Sequence, residues 1–279
     1  ADHCCVVSNG TAALHLSGLA LGWEKGDIVI TSPITFLATA NSILYSGATP
    51  DFVDINPVSY TLDSNQLEDK IQYYNKKGKN VRAIIAVDFA GHPCNWKELR
   101  ENADKYGSLL VNDNCHALGA AYLQDKQYAA KFADVVIQSY HPVKHITTGE
   151  GGSILTNDYK IDEKVRELRT HGMTKNPEKL EKTDGPWYYE MHQLGFNYRI
   201  TDFQCALGIS QLKKLDYAIE RQRYAKTKIT EALREWPVIR LREFSDSEGE
   251  TGDTFVFFLE NPETARLVAV QLRNQGVGF

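Results

Sequence analysis

Two side chains near the middle of the chain have the types and positions needed to act on a ring cofactor. Asp113 follows the apolar run Leu109–Val111, so it should end a strand, at the sheet edge where parallel sheets bind ligands. A carboxylate buried there needs a cation, either a pyridinium nitrogen or an ordinary Lys or Arg. Lys144 lies in the glycine-rich stretch 139–152, where a confined lysine can lose its proton and form a Schiff base. Each has a plainer alternative, a structural ion pair for Asp113 and a surface loop for Lys144.

Two further features would complete such a site. The stretch Ser8 to Leu14 follows a strand and opens an apolar helix, so its N–H groups and the Thr11 hydroxyl suit a phosphate, although a simple helix cap would look the same. Phe36 follows another predicted strand and could stack on a flat ring or belong to the core. Pyridoxal phosphate requires a set of four groups: N–H donors for its phosphate, an aromatic side chain that stacks on its ring, an acid for the ring nitrogen and a nucleophilic lysine.

Other chemistries lack their motifs. The chain has no dinucleotide-binding, P-loop, zincin or α/β-hydrolase signature. His141 and His145 have the spacing of a metal pair on a helix, but Pro142 between them argues against a helix, and no metal site is predicted. A formal net charge of −5 argues against nucleic-acid binding, and no apolar run approaches the ~20 residues of a membrane span. Five scattered cysteines without a Cys-x-x-Cys pair favour a cytoplasmic location.

These residues need a scaffold in which strands alternate with helices. Mostly apolar strands are predicted at residues 6–7, 27–30, 51–54, 83–87, 109–111, 134–137 and 153–155. Helix starts are predicted at three capping pairs, namely Asn95 with Glu98, Asp63 with Gln66, and Thr201 with Gln204. The last of these helices is expected to run through Leu215, and Gly107 to close the first. This order predicts an α/β fold with a mostly parallel central sheet flanked by helices.

The composition changes after residue 215. We expect residues 1–215 to form a large cofactor-binding domain and residues 216–279 to begin a smaller α+β domain. In the second part, a long charged helix precedes strands at 238–241 and 255–259 and a helix from about Pro262. The acidic loop from Ser245 to Asp253 is interpreted as solvated, without a function. Because the chain opens almost inside a strand and stops where another should begin, we expect segments of a longer protein to be missing at both ends.

Taken together, the stretches 10–14, 87–93, 113–119, 139–152, 195–202, 206–208 and 211–212 resemble the DegT/DnrJ/EryC1/StrS family of sugar aminotransferases. The resemblance implies a fold-type-I pyridoxal-phosphate (PLP) enzyme of polysaccharide biosynthesis that transfers an amino group from glutamate to a nucleotide sugar. Residues 141–151 and 184–191 are most similar to members of the pseudaminic-acid pathway. That similarity implies amination at C4 of a 4-keto-6-deoxy sugar, UDP-4-keto-6-deoxy-N-acetyl-hexosamine.

The resemblance also implies roles for individual residues. Lys144 matches the Schiff-base lysine, Asp113 the acid bonded to the pyridine nitrogen, and His116 the residue beside the ring oxygen. The other implied contacts are Gly10, Thr11, Ala12 and Ser139 at the phosphate, Phe36 on the ring face, and Asn197 from the second subunit of a homodimer with shared active sites.

Several alternatives stay open. The chain departs from its relatives around the aspartate, where it has Asn112, Asn114 and Cys115 instead of an acid and small residues. The substrate could be a dTDP- or GDP-linked sugar aminated at C3 or C4. A protein that binds PLP without turnover is a further possibility. A PLP-dependent sugar dehydratase of the same fold is disfavoured, because those relatives carry histidine in place of the lysine.

Overall fold

A seven-stranded sheet forms the centre of the computed structural model, which describes residues 1–182, 184–243 and 249–278. The spatial order of the strands is β1-β7-β6-β5-β4-β2-β3. Only β7 runs antiparallel to its neighbours, so the predicted mostly parallel α/β sheet is confirmed. All seven predicted strands are present, with bounds His3–Val7 (β1), Ile28–Thr31 (β2), Thr49–Phe52 (β3), Val81–Val87 (β4), Leu109–Asp113 (β5), Val135–Ser139 (β6) and Gly152–Thr156 (β7).

Helices cover both faces of this sheet. Side chains alternate along each strand, so the adjacent residues Ile84 and Ile85 of β4 enter two different apolar clusters, and both are fully buried. This double burial explains why the strands have no polar face. The helices are Gly10–Ala20 (α1), Leu37–Tyr45 (α2), Ser64–Lys76 (α3), Trp96–Tyr106 (α4), Tyr128–Phe132 (α5), Tyr159–Arg169 (α6), Asp202–Leu212 (α7), Leu215–Leu233 (α8) and Pro262–Asn274 (α9).

Local capping signals account for two of the three predicted helix starts. The Asp63 carboxylate accepts the N–H of Gln66 at 3.1 Å, and Thr201 forms a full capping box with Gln204. The helix begun by Thr201 ends at Leu212 and α8 begins at Leu215, so the prediction that the first helix continues through Leu215 was wrong.

The capping box predicted at Asn95 was also wrong. The Asn95 side chain makes no capping bond and instead accepts the Tyr122 hydroxyl at 2.9 Å. Glu98 accepts the Ser64 hydroxyl. Tertiary partners therefore hold both side chains, although α4 still begins at the predicted place and ends at Gly107, whose φ of 68° is the left-handed conformation expected there.

Short antiparallel pairs lie outside the central sheet. Met173–Thr174 (β8) pairs with Glu190–Met191 (β9), which the sequence did not predict, and Ile239–Leu241 (β10) pairs with Phe257–Leu259 (β11). The β10–β11 pair and α9 follow α8, as predicted for residues 216–279, while the division into two domains stays a prediction. Within the described ranges, every helix is too short or too polar to cross a membrane.

The interpretation of residues 245–253 as a solvated loop was wrong for the part that the structure describes. Residues 245–248 lie outside the described residues, but Glu250 and Thr251 are buried and the Asp253 side chain is only 5% exposed. The burial of Glu250 is possible because Lys226 of α8, itself nearly buried, pairs with its carboxylate.

Candidate active site

A cavity of about 710 Å³ opens at the carboxyl ends of three neighbouring strands. Val87, Asp113 and Ser139 are the last residues of β4, β5 and β6, and all three line it, as expected for a ligand site in a parallel sheet. The walls come from the start of α1, the start of α2 and the turn after β6. Eight of the nine predicted site residues line the cavity: Gly10, Thr11, Ala12, Phe36, Asp113, His116, Ser139 and Lys144.

Asp113 presents a buried carboxylate to this cavity. One oxygen accepts the Thr39 hydroxyl at 2.8 Å and the other accepts the Cys115 N–H at 3.4 Å. Among the described residues no cation pairs with it, although its residue is only 5% exposed. A carboxylate so placed is suited to a cationic ligand group. Sequence reasoning missed Thr39, because a hydroxyl inside a helix carries no distinctive pattern.

Lys144 lies on a turn that its own backbone closes. Its N–H donates to the His141 carbonyl at 2.9 Å, and Thr148 N–H donates to the Tyr140 carbonyl at 2.9 Å. Gly151 follows, where a Cβ would lie 2.1 Å from the Thr148 hydroxyl oxygen, so the turn can close this tightly only with glycine. Within the described part of the chain, the Lys144 amine has neither a hydrogen bond nor an ion pair, and it is available to a ligand.

His116 enters the cavity as a neutral imidazole. Burial lowers its pKa, and the nearby charge of Lys144 lowers it further. Its Nδ1 atom accepts the Ala90 N–H at 3.2 Å, which leaves the hydrogen on Nε2. A neutral ring with this tautomer can donate one hydrogen bond to a ligand oxygen.

The start of α1 forms the third wall. Asn9 caps this helix and accepts the Ala12 N–H at 2.8 Å, so that amide is already bonded. The N–H groups of Gly10 and Thr11 have no partner in the described ranges, as is usual for a first helical turn. A Cβ on Gly10 would lie 2.9 Å from the Ser139 Cβ, so glycine allows the helix start to approach Ser139 closely. Such an arrangement suits an anion.

The two remaining predicted residues differ in their relation to the cavity. Phe36 lines its mouth and is 69% exposed, just before α2. Asn197 does not line it. The neighbouring Phe196 and Tyr198 stack on each other and pack against the core, whereas Asn197 is exposed.

A second buried carboxylate lies behind the site, and sequence reasoning did not single it out. Asp88 is fully buried. One of its carboxylate oxygens accepts hydrogen bonds from the side-chain amides of Asn112 and Asn114 and from the Tyr128 hydroxyl. Its other oxygen accepts the Cys94 N–H and the indole N–H of Trp96. Burial raises the pKa of Asp88, and these donors oppose the rise.

Comparison with known proteins bears out the resemblance drawn from the sequence. The model of the DegT/DnrJ/EryC1/StrS aminotransferase family matches residues 1–279. The chain is 42% identical over 220 residues to the UDP-4-amino-4,6-dideoxy-N-acetyl-beta-L-altrosamine transaminase of Campylobacter jejuni, which covers 79% of this chain and 54% of that protein. The chain thus spans about half the length of the curated relatives it matches.

Solved structures agree with the fold. Helicobacter pylori PseC, an aminotransferase involved in the biosynthesis of pseudoaminic acid, superimposes with a TM-score of 0.86 at 28% identity, over 98% of this chain and 70% of that one. Bacillus subtilis NtdA, solved with the bound cofactor PMP, gives a TM-score of 0.81 at 25% identity, over 98% and 58% of the two chains. The predicted fold-type-I architecture is confirmed.

Proposed function

This chain belongs to the DegT/DnrJ/EryC1/StrS aminotransferase family, and on that premise we propose that it is a PLP-dependent nucleotide-sugar aminotransferase. The proposal rests on one observation: Lys144, Asp113 and His116 line the same cavity as the start of α1. The substrate we propose is a UDP-linked 4-keto-6-deoxy-N-acetyl-hexosamine, aminated at C4 with glutamate as donor. Support for this choice comes from the Campylobacter jejuni transaminase and PseC, the relatives described above.

The side chains present fit PLP. The unpaired Asp113 carboxylate suits a protonated pyridine nitrogen, and the amides of Gly10 and Thr11 suit the phosphate, together with the Ser139 hydroxyl. When bound, the cofactor supplies an electron sink and an aldehyde carbon that can carry the amino group. The free Lys144 amine is the group that would hold it covalently.

Each of these residues has a defined task in this proposal. Asp113, which accepts the Thr39 hydroxyl, would keep the proton on the ring nitrogen. His116 would donate its Nε2 hydrogen to the ring oxygen, because Nδ1 already accepts the Ala90 N–H. With the cofactor bound, the Lys144 amine would take the proton from the α-carbon of glutamate and pass it to the cofactor's aldehyde carbon, and in the second half-reaction it would carry a proton from that carbon to C4 of the keto sugar.

The assembly we propose is a homodimer in which Asn197 reaches the phosphate of the partner's site. Asn197 is exposed, whereas its neighbours Phe196 and Tyr198 stack on each other. Large apolar side chains near it in sequence are exposed as well, with Leu194 at 79% and Phe203 at 90%. A second copy of the chain would bury such residues.

The setting we propose is the cytoplasm, with residues 1–215 as the cofactor-binding domain. All five cysteines are free thiols, which agrees with a reducing compartment. The interruption between Leu212 and Leu215, where α7 gives way to α8, is a natural place for the domain boundary.

Borohydride reduction tests the cofactor assignment directly. We expect a yellow protein whose visible absorbance is bleached by borohydride, with mass spectrometry locating the reduced adduct on Lys144. An adduct on another lysine would refute the assignment. The Asp113→Asn variant should still fold and bind PLP but lose most of its transamination.

Release of 2-oxoglutarate from glutamate tests the activity. The assay should be run in parallel with UDP-, dTDP- and GDP-linked keto sugars, and we expect turnover with the UDP sugar. Turnover with only a dTDP or GDP sugar would replace the proposed substrate. Binding of PLP with no turnover on any of them would favour a binding protein.

A further inference from the structure

Residues 249–253, which we call the acidic segment, are anchored between α8 and the loop after β5. The Gly249 carbonyl accepts the Ala121 N–H at 2.7 Å. Glu250 is held twice from α8, its carboxylate by Lys226 and its carbonyl by the Arg223 guanidinium at 2.6 Å. A segment held at this many points has a fixed position relative to the sheet.

The same segment contacts the back of the active-site wall. The Thr251 N–H donates to the Gly91 carbonyl at 3.0 Å, and its hydroxyl donates to the His116 carbonyl at 3.0 Å. Gly91 has φ 81°, and a Cβ there would lie 2.1 Å from the Thr251 hydroxyl oxygen. The approach is therefore close enough to require glycine, and it fixes the backbone that carries His116.

Asp253 extends these contacts to the turn of Lys144. Its Oδ1 atom lies 3.3 Å from Nδ1 of His145, and the two side chains are only 5% and 1% exposed. Lys144 lines the cavity, whereas its neighbour His145 does not and is directed to Asp253. Burial lowers the pKa of His145, while the Asp253 carboxylate raises it.

We propose that Asp253 is a positioning residue that acts through His145 to hold the turn from which Lys144 enters the active site. Among the described residues, Nδ1 of His145 and Oδ1 of Asp253 face each other at 3.3 Å and neither makes a hydrogen bond, so a hydrogen on Nδ1 would give each atom a partner. The other carboxylate oxygen accepts the Thr254 hydroxyl at 3.0 Å, so the contact through Oδ1 with His145 is what links Asp253 to the turn of Lys144. The catalytic meaning of this tether rests on the proposed function.

Two variants of Asp253 separate positioning from mere stability. In Asp253→Ala the PLP dissociation constant should rise about tenfold, as is common when an orienting partner is lost. Asp253→Asn keeps an oxygen that can accept a hydrogen from the imidazole, so its PLP dissociation constant should stay within about threefold of that of the unchanged protein. Asp216→Ala removes a side chain that is 93% exposed and is the matched control, with no expected effect.

Hydrogen exchange of the cofactor-free protein provides a measurement that does not depend on PLP. Asp253→Ala should speed exchange of the Lys144 and Thr148 amides, which close the turn, by about tenfold. The buried amide of Ile85 in β4 reports global unfolding and is the reference, so the two turn amides should speed up about tenfold relative to it.

A double variant tests whether the two residues act as one unit. If Asp253 acts through His145, adding Asp253→Ala to His145→Ala should cause no further loss of PLP affinity. Additive losses, an Asn variant as impaired as the Ala variant, or unchanged exchange of the two turn amides would each overturn the proposal. Absence of PLP from Lys144 in the unchanged protein would overturn the proposed function instead, while the exchange measurement would still decide the tether.

Discussion

Replacing Thr39 by Val tests whether its hydroxyl controls the carboxylate of Asp113, which faces the cavity. The Thr39 hydroxyl lies 2.8 Å from Asp113 and 2.8 Å from the hydroxyl of Thr35. Because an ionised carboxylate only accepts, Thr39 must donate to Asp113, and Thr35 must then donate to Thr39. Valine has nearly the same shape but no hydroxyl. At this buried position the variant therefore loses both the hydrogen bond to Asp113 and the one from Thr35.

The expected loss follows from the kind of bond that is removed. A buried hydrogen bond to a charged group contributes about 1.5–3 kcal/mol, so the free energy of unfolding of the cofactor-free protein should fall by about that amount. If the same interaction also fixes Asp113 against the ring nitrogen, transamination should fall about tenfold to a hundredfold, since 1.36 kcal/mol corresponds to a factor of ten.

Urea denaturation and initial rates of 2-oxoglutarate release measure the two effects. Thr35→Val is the matched control, because Thr35 is only partly buried and bonds Thr39 rather than the carboxylate, and its cost should stay below about 1 kcal/mol. If Thr39→Val is no less stable and no slower than Thr35→Val, the assignment of Thr39 as the support of Asp113 is refuted.

Three further predictions concern packing, pH and assembly. Gly91→Ala should lower the free energy of unfolding by about 2 kcal/mol or more, because of its positive φ and the clash with Thr251, and a variant of unchanged stability in urea would contradict that packing. Burial lowers the pKa of His92 from 6.5 to about 3. Between these two pH values the unfolded state binds a proton that the folded state does not, so the free energy of unfolding falls as the pH drops. When the pH is lowered from 6.5 to 4.5, the free energy of unfolding of His92→Asn, measured in urea titrations, should therefore fall by roughly 2 kcal/mol less than that of the unchanged protein. Equal losses would refute the lowered pKa of His92. A re-equilibrated mixture of Lys144→Ala and Asn197→Asp should recover about a quarter of full activity, because half of a random population is heterodimer with one intact site of two. No recovery, with subunit exchange confirmed by native mass spectrometry, would rule out a shared site.

Local patterns in the sequence were sufficient for the strands and for two of the caps. A strand buried on both faces, such as β4, must be apolar throughout, so its existence can be predicted from a few residues. Asp63 and Thr201 cap through amides two or three residues away, and their bonds are therefore also local. For the same reason the strand end that carries Asp113 could be identified without the structure.

Contacts between distant parts of the chain could not be predicted in this way. Asn95 is followed by Glu98 as in a capping box, but Tyr122 and Ser64, which lie 27 and 34 residues from their partners, bind the two side chains instead. The acidic segment looks solvated in sequence, since its cation Lys226 is on a separate helix. Thr39 is likewise 74 residues from Asp113, and only the folded sheet brings the two together.

The run Asn112-Asp113-Asn114 shows how one strand end serves two environments. Side chains alternate along a strand, so Asp113 points to the cavity while both asparagines point to the other face. There each donates to the buried Asp88, at 3.1 and 2.7 Å. A carboxylate at either flank would place a second negative charge against Asp88, whereas an amide supplies a hydrogen-bond donor. The two asparagines therefore belong to the support behind the site, and they leave the cavity-facing side of β5 to Asp113.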